Sequence, residues 1–190
     1  MTSLLRRSFC LAFFGVSALF SGCAISHRLP DYGRIPNFDL ISQTGRRVTL
    51  EDLRNKVWIA DTFFTTCTGP CPMMSARMRR LALDLGAEAN VRLVSLTVDP
   101  EHDSQAALLE YSSRFHARAE QWLFLTGPQE SVNRVTMDGL HLSRVDGSLE
   151  HSTKFALIDG HARIRGYYLS FDQSQMKQLI SDARTLAVSQ

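Results

Sequence analysis

Cys67 and Cys71 are the residues of this chain whose type and spacing most directly indicate chemistry. They form a CxxxC pair in the segment TCTGPCP, which follows an apolar, strand-like run and opens a helix-like pattern. With His151, which lies eighty positions after Cys71, they supply two soft sulfur donors and one nitrogen, a set suited to a cuprous ion. The same two cysteines are equally a dithiol that could cycle to a disulfide.

The loop between the cysteines should be short and stiff, because Gly69 and Pro70 occupy it and Pro72 follows it. Proline is tolerated in the first turn of a helix, so the helix should begin beside the sulfurs. Its N-terminal amides and dipole favour negative charge, and we therefore expect a lowered pKa for at least one of the two thiols. A separation of four helical residues, about 6 Å along the axis, allows either a shared metal or, after adjustment, a disulfide.

Apolar patterns predict the elements that must position the cysteines. Strands are predicted at residues 38–41, 47–50, 57–64, 91–98, 122–125, 154–159 and 163–168. Helices should run from the cysteines to Gly86, from Asp103 as N-cap through Phe115, over residues 128–137, and from Asp172 through Leu186. This order predicts an α/β domain with a central mixed sheet sandwiched by helices.

Residues 1–22 have the pattern of an export signal. Arg6 and Arg7 precede an apolar stretch over residues 8–20 that is short for a bilayer span. Small residues directly before Cys23 resemble the lipobox of bacterial lipoproteins, in which the cysteine carries lipid. The alternatives are an ordinary signal peptide and an uncleaved anchor. All three predict a domain outside the cytoplasm, and the first predicts a membrane-anchored lipoprotein that faces the periplasm or the cell exterior.

The remaining chain divides into a tether and one domain. Residues 23–36 contain prolines and little apolar periodicity, which predicts a tether, and residues 37–190 have the length of a single domain. Loss of the leader would remove two of the 21 basic residues and none of the 19 acidic ones, leaving a formal charge of zero. A neutral domain without a basic run excludes nucleic acid as a partner.

Four segments, taken in order, resemble one known family. They are residues 61–66 (DTFFTT) before the CxxxC-Pro run, residues 98–103 (VDPEHD), residues 122–127 (WLFLTG) and residues 151–159 (HSTKFALID). From about Pro36 to Leu186 the chain resembles the Sco family, also called SenC or PrrC, of thioredoxin-fold copper proteins that serve cytochrome c oxidase assembly. The resemblance implies a thioredoxin-like sheet with an added N-terminal hairpin, and Cys67, Cys71 and His151 as copper ligands.

Some features depart from that family or compete with its ligands. The loop at residues 68–70 lacks the acidic residue that many members carry, and Glu150 stands where aspartate often precedes the histidine. His141 is the one rival to His151, because residues 140–142 alternate as a strand would. Met73 and Met74 could add thioether contacts, but a packing role is favoured for both because Met74 fits the core stripe of the helix.

Copper delivery is the favoured function. The resemblance implies a metallochaperone that holds Cu(I) and passes it by ligand exchange to a respiratory oxidase subunit or its assembly factors, without turnover as an enzyme. The alternative is a thiol–disulfide oxidoreductase that uses Cys67 and Cys71 to keep the cysteines of a copper-site apoprotein reduced. Peroxide reduction through a sulfenic acid at Cys67 ranks third. The residues leave open whether Cu(II) is also held.

Overall fold

The computed structural model describes residues 29–86, 90–142 and 152–189. The strands in these ranges are β1 (Asp39–Ser42), β2 (Arg47–Thr49), β3 (Val57–Phe63), β4 (Val91–Thr97), β5 (Trp122–Thr126), β6 (Lys154–Ile158) and β7 (Ile164–Leu169). The α-helices are α1 (Cys71–Leu85), α2 (Gln105–Arg114), α3 (Gln129–Asn133) and α4 (Gln173–Val188). A 3-10 turn at Leu50–Leu53 and a π-helical turn at Arg134–Gly139 complete the elements.

The strands form one mixed sheet in the order β2-β1-β5-β4-β3-β6-β7. Strands β3, β4 and β5 are parallel, whereas β1 runs antiparallel to β5, and β6 antiparallel to β3. Strands β3, β4 and β5 therefore end where β6 begins. These strand ends, at Phe63, Thr97, Thr126 and Lys154, lie along one end of the sheet. We call this end of the sheet the cysteine edge. The predicted α/β fold, with a central mixed sheet, flanking helices and an N-terminal hairpin, is confirmed.

Two hydrophobic clusters cover the two faces of the sheet. On one face, α1, α2 and α4 pack against β3 side chains such as Ile59 and Phe63. On the other face, Trp58 and Ala60 of β3 pack with the N-terminal hairpin and with Val132 of α3. All residues of β3 are buried, as expected for a parallel strand covered on both sides. The strand that leads to the cysteines is thus held at the centre of the domain.

Helix α1 packs on the sheet through one apolar stripe. Met74, Met78, Leu81 and Leu85 form this stripe, and all four are buried. The packing role predicted for Met74 is therefore confirmed. The same role is wrong for Met73, which is 57% exposed. Because Met73 lies one residue before the stripe, the helical period turns it away from the sheet.

Two predicted details of the helices change in the structure. Ser104, not Asp103, is the N-cap of α2, since the Ser104 side chain accepts a hydrogen bond from the Ala107 amide. Aspartate and serine are both good N-cap residues, so a pattern with the two side by side does not choose between them. The helix predicted over residues 128–137 is divided into α3 and the π-helical turn.

Residues 29–36, the described part of the predicted tether of residues 23–36, pack on the domain, so the tether prediction is wrong for these residues. The Tyr32 amide donates to the Ile164 carbonyl, and the Ile35 amide to the Ala162 carbonyl, both at 2.9 Å. Ile35 is only 2% exposed. The tether prediction rested on Pro and Gly residues that hide this pairing from a periodicity analysis.

The predicted signal at residues 1–22 and the predicted lipidation site Cys23 lie outside the described residues. In the part of the chain that the structure describes, no helix is long and apolar enough to cross a bilayer.

Truncating the α1 stripe should cost far more stability than truncating the exposed side of the same helix. Leu81 is 1% exposed and Leu83 is 63% exposed. We expect Leu81→Ala to lower the free energy of unfolding by about 2–5 kcal/mol, because it removes buried contacts and leaves a cavity. Leu83→Ala should change it by less than about 0.5 kcal/mol. Urea denaturation followed by circular dichroism measures both, and equal losses would show that α1 packs differently.

Candidate functional site

The two cysteines lie where the chain passes from β3 into α1, at the cysteine edge. After Phe63 the chain makes a turn in which the Cys67 amide donates to the Phe64 carbonyl at 3.2 Å. Helix α1 then begins at Cys71. Cys71 is fully buried, whereas Cys67 is partly exposed, and neither forms a disulfide. The site therefore presents one accessible sulfur, with the second sulfur behind it in the core.

Burial raises the pKa of the Cys71 thiol well above its ordinary value, and the hydrogen bond with the Cys67 side chain raises it further. The lowered pKa expected from the helix N-terminus is therefore wrong for Cys71. The helix dipole is a modest effect at the first turn, whereas removal of a thiolate from water is a large cost. A metal that binds Cys71 must displace its proton.

Asp61 is a buried acid beside this site that the sequence analysis named only as part of a family motif. It lies on β3, is 0% exposed, and its Oδ1 accepts a hydrogen bond of 2.6 Å from the Ser95 hydroxyl. Ser95 in turn accepts one of 2.9 Å from the Trp122 indole. Among the described residues, Asp61 Oδ2 has no hydrogen-bond partner. A carboxylate within an apolar strand was the sequence signal that could have identified it.

Burial raises the pKa of Asp61 to about 7, although the Ser95 hydrogen bond opposes the rise. The charge of Asp61 also contributes to the raised pKa of Cys71. The Asp61 carboxylate thus lies close enough to Cys71 to disfavour ionisation of its thiol. At neutral pH a proton can be held at Asp61 as well as at Cys71.

His151, the third predicted ligand, lies outside the described residues. The residue after it, Ser152, is described, and its amide donates to the Leu142 carbonyl at 2.7 Å. The same carbonyl accepts a hydrogen bond of 3.4 Å from the Thr62 hydroxyl near the end of β3. The chain that directly follows His151 is therefore fixed at the cysteine edge.

His141 is not the third member of a cysteine site. Its side chain is exposed, and its Nδ1 lies 2.8 Å from the Met137 carbonyl oxygen. Across residues 29–86, 90–142 and 152–189, no group of three His, Cys, Asp or Glu side chains is arranged to hold a metal. Cys67, Cys71 and His141 all belong to these residues. A metal site made of these three side chains is therefore excluded in this structure. The backbone explains the difference, because His141 has a φ of 52° and is not in a strand.

Comparisons with known proteins agree on one family. The SCO1/SenC family model matches residues 30–187. The chain is 30% identical to the SCO1 protein homolog of Bacillus subtilis over 154 residues, which are 78% of this chain and 80% of that protein.

Solved structures give the same result for the fold. The structure of BsSco, described as a member of the Sco family of cytochrome c oxidase assembly proteins, has a TM-score of 0.74 and 28% identity, and the match covers 85% of this chain and 97% of BsSco. Copper-bound ScoI of Bradyrhizobium japonicum has a TM-score of 0.68 and 21% identity over 81% of this chain and 99% of ScoI. The second likeness concerns the fold alone.

The raised pKa of Asp61 should make the protein less stable as the pH rises from about 4 to about 7. The unfolded chain releases this proton near the ordinary pKa of 3.8, whereas the folded chain keeps it until about pH 7. Asp61 thus contributes its full stabilisation below about pH 4 and progressively less up to about pH 7. In this window the free energy of unfolding falls by up to about 1.4 kcal/mol per pH unit, and above it the contribution of Asp61 no longer changes.

Urea unfolding of the wild-type protein and of Asp61→Asn across this pH range measures the effect. The difference in free energy of unfolding between the two should change with pH, because the amide does not titrate. A pH-independent difference would show that folding does not raise the pKa of Asp61.

Proposed function

Because this chain belongs to the SCO1/SenC family, we propose that it binds cuprous copper through Cys67, Cys71 and His151 and delivers it to a respiratory oxidase. Two similar proteins support the proposal. BsSco is a member of a family of cytochrome c oxidase assembly proteins, and a protein of Stutzerimonas stutzeri that is 32% identical to this chain over 148 residues is named "Putative copper-binding protein". The acceptor would be an oxidase subunit or one of its assembly factors.

The observation that carries the proposal is the meeting of two chain segments at the cysteine edge. One segment is the turn from β3 into α1, which holds Cys67 and Cys71. The other is the chain at Ser152, directly after His151, which is fixed to the Leu142 carbonyl together with Thr62. Two thiolates and one imidazole suit Cu(I), because soft ligands favour it, whereas structural zinc sites usually need four protein donors.

Proton release should accompany copper binding. Cys71 holds its proton in the metal-free protein because its thiol is buried, and a bound copper ion favours the thiolate instead. The binding energy therefore includes the cost of removing this proton. Weak binding at low pH would favour release of the ion.

Delivery by ligand exchange fits the different exposure of the two sulfurs. Cys67 is partly exposed and Cys71 is buried, so an acceptor's ligand would reach the copper ion from the Cys67 side. Met73, in the first turn of α1, is 57% exposed and adds apolar surface to the start of this helix. We infer a binding and delivery protein without catalytic turnover.

We also propose that Cys23 is lipidated and that the domain faces the periplasm or the cell exterior. The first described residues lie at the edge of the sheet opposite the cysteines, where the Arg165 side chain donates to the Leu29 and Pro30 carbonyls at 2.5 and 2.7 Å. Arg165 also pairs with Asp159 in the turn that follows β6. An anchor at that end would leave the cysteine edge turned away from the membrane.

A dithiol redox function is the second candidate, and the same exposure difference favours it. A partly exposed Cys67 could attack a partner's disulfide, and the buried Cys71 could then resolve the mixed disulfide. The partner would gain two electrons and two protons as two thiols, and this protein would be left with a Cys67–Cys71 disulfide. This function needs no histidine.

A competitive Cu(I) titration of the anaerobically reduced protein distinguishes the two functions. We expect one tight equivalent in the wild-type protein, and none in the Cys67→Ser, Cys71→Ser double variant because both thiolates are lost. His151→Ala should lower the affinity at least about tenfold, since it removes one of three ligands.

His141→Ala is the matched control, because His141 is an exposed histidine held at the Met137 carbonyl. It should bind Cu(I) like the wild-type protein. Equal Cu(I) affinities of His151→Ala and His141→Ala would show that His151 is not a copper ligand and would favour the dithiol function.

A further inference from the structure

Asp103 is a fully buried carboxylate beside the turn that carries Cys67. It is 0% exposed. The Thr65 amide donates to both of its oxygens at 3.1 Å, and the Thr65 hydroxyl donates to Oδ1 at 2.5 Å. On its other side, the Thr97 hydroxyl at the end of β4 donates to Oδ2 at 2.5 Å. One side chain thus connects the chain after β3 to the end of β4.

This carboxylate is not needed to cap a helix. Ser104 caps α2, and the backbone turn before the helix is closed without the Asp103 side chain. The Asp99 carbonyl accepts from the His102 and Asp103 amides at 3.2 and 2.9 Å, and the Asp99 amide donates to the Thr97 hydroxyl at 2.9 Å. The side chain of Asp103 is therefore directed toward Thr65 by a turn that is stable on its own.

Burying a carboxylate is costly unless hydrogen bonds compensate it. Here the compensation comes from Thr65 and Thr97, through hydrogen bonds to a charged acceptor that are stronger than neutral ones. Thr65 lies two residues before Cys67. The cost of burying Asp103 is thus met by contacts that hold the cysteine turn against the sheet.

We propose that Asp103 is a positioning residue of the copper site and acts through Thr65. It fixes Thr65 at both its amide and its hydroxyl, and the Cys67 amide is held by the Phe64 carbonyl in the same turn. Cys67 is then placed near Cys71 before the ion arrives. A preformed site loses less conformational freedom on binding than one that the ion must order. The inference rests on the proposed copper function.

Asp103→Asn tests the role without a large change in size. Asparagine keeps one acceptor oxygen but loses the charge and the second acceptor, so it cannot make the same bonds to Thr65 and Thr97. We expect Cu(I) affinity to fall about tenfold, the lower end of the range for partners outside the ligand shell. In the metal-free protein, the released turn should let iodoacetamide alkylate Cys67 several times faster.

The matched control is Asp159→Asn, at the opposite edge of the sheet. Asp159 is 4% exposed and also uses its carboxylate to hold a turn, accepting from the His161 and Arg163 amides at 2.9 Å. This variant should lose stability like Asp103→Asn while keeping wild-type Cu(I) affinity and Cys67 alkylation rate. Equal effects of the two variants on Cu(I) affinity and on the rate of Cys67 alkylation would show that Asp103 has only a structural role.

A double-mutant cycle with Thr65→Val tests the route. Thr65→Val removes the hydroxyl donor but keeps the amide, so it should give a smaller loss of affinity than Asp103→Asn. If Asp103 acts through Thr65, the double variant should lose less affinity than the product of the two single losses. If the affinity loss of the double variant equals the product of the two single losses, Asp103 does not act through Thr65.

The outcomes separate this inference from the proposed function. Tight Cu(I) binding by the wild-type protein, with unchanged affinity and alkylation in Asp103→Asn, would reject the positioning role alone. Absence of tight Cu(I) binding in the wild-type protein would reject the proposed function. The alkylation rates would then show whether Asp103 still positions a redox-active Cys67.

Discussion

Burial of Cys71 is the constraint on which the rest of the site depends. The Cys71 sulfur is a candidate copper ligand. Cys71 is also a core residue, because it packs in the same hydrophobic cluster as Met74 and Phe63. Its position is therefore set by the packing of α1 on the sheet and not by the loop around it. The other groups of the site must approach this buried sulfur, and Cys67 does so from a turn that the hydrogen bonds between Thr65 and Asp103 hold.

Two buried carboxylates flank the cysteines, and their surroundings give them different roles. Among the described residues, Asp61 has a hydrogen-bond partner, Ser95, on one oxygen only, and burial raises its pKa to about 7. Asp103 receives hydrogen bonds on both oxygens from Thr65 and Thr97. Asp61 is thus a group that can hold a proton behind the site, whereas Asp103 is a fixed connection between the cysteine turn and β4.

Local patterns predicted the elements well, because each element depends on neighbours in sequence. The α1 stripe and the alternation of strands and helices are examples. Long-range pairing was not predictable in the same way. Thr65 and Asp103 are 38 residues apart, and Asp61 and Ser95 are 34 apart, so only the sheet register brings them together. Burial likewise decided the pKa of Cys71 against the local helix effect.

X-ray absorption at the copper edge of the anaerobically Cu(I)-loaded protein tests the central claim most directly, because it counts the ligand atoms around the ion. Two sulfurs and one imidazole nitrogen are expected. The nitrogen contribution should disappear in His151→Ala and remain in His141→Ala. A site of sulfur ligands alone, with the same spectrum in His151→Ala, would contradict the three-ligand copper site.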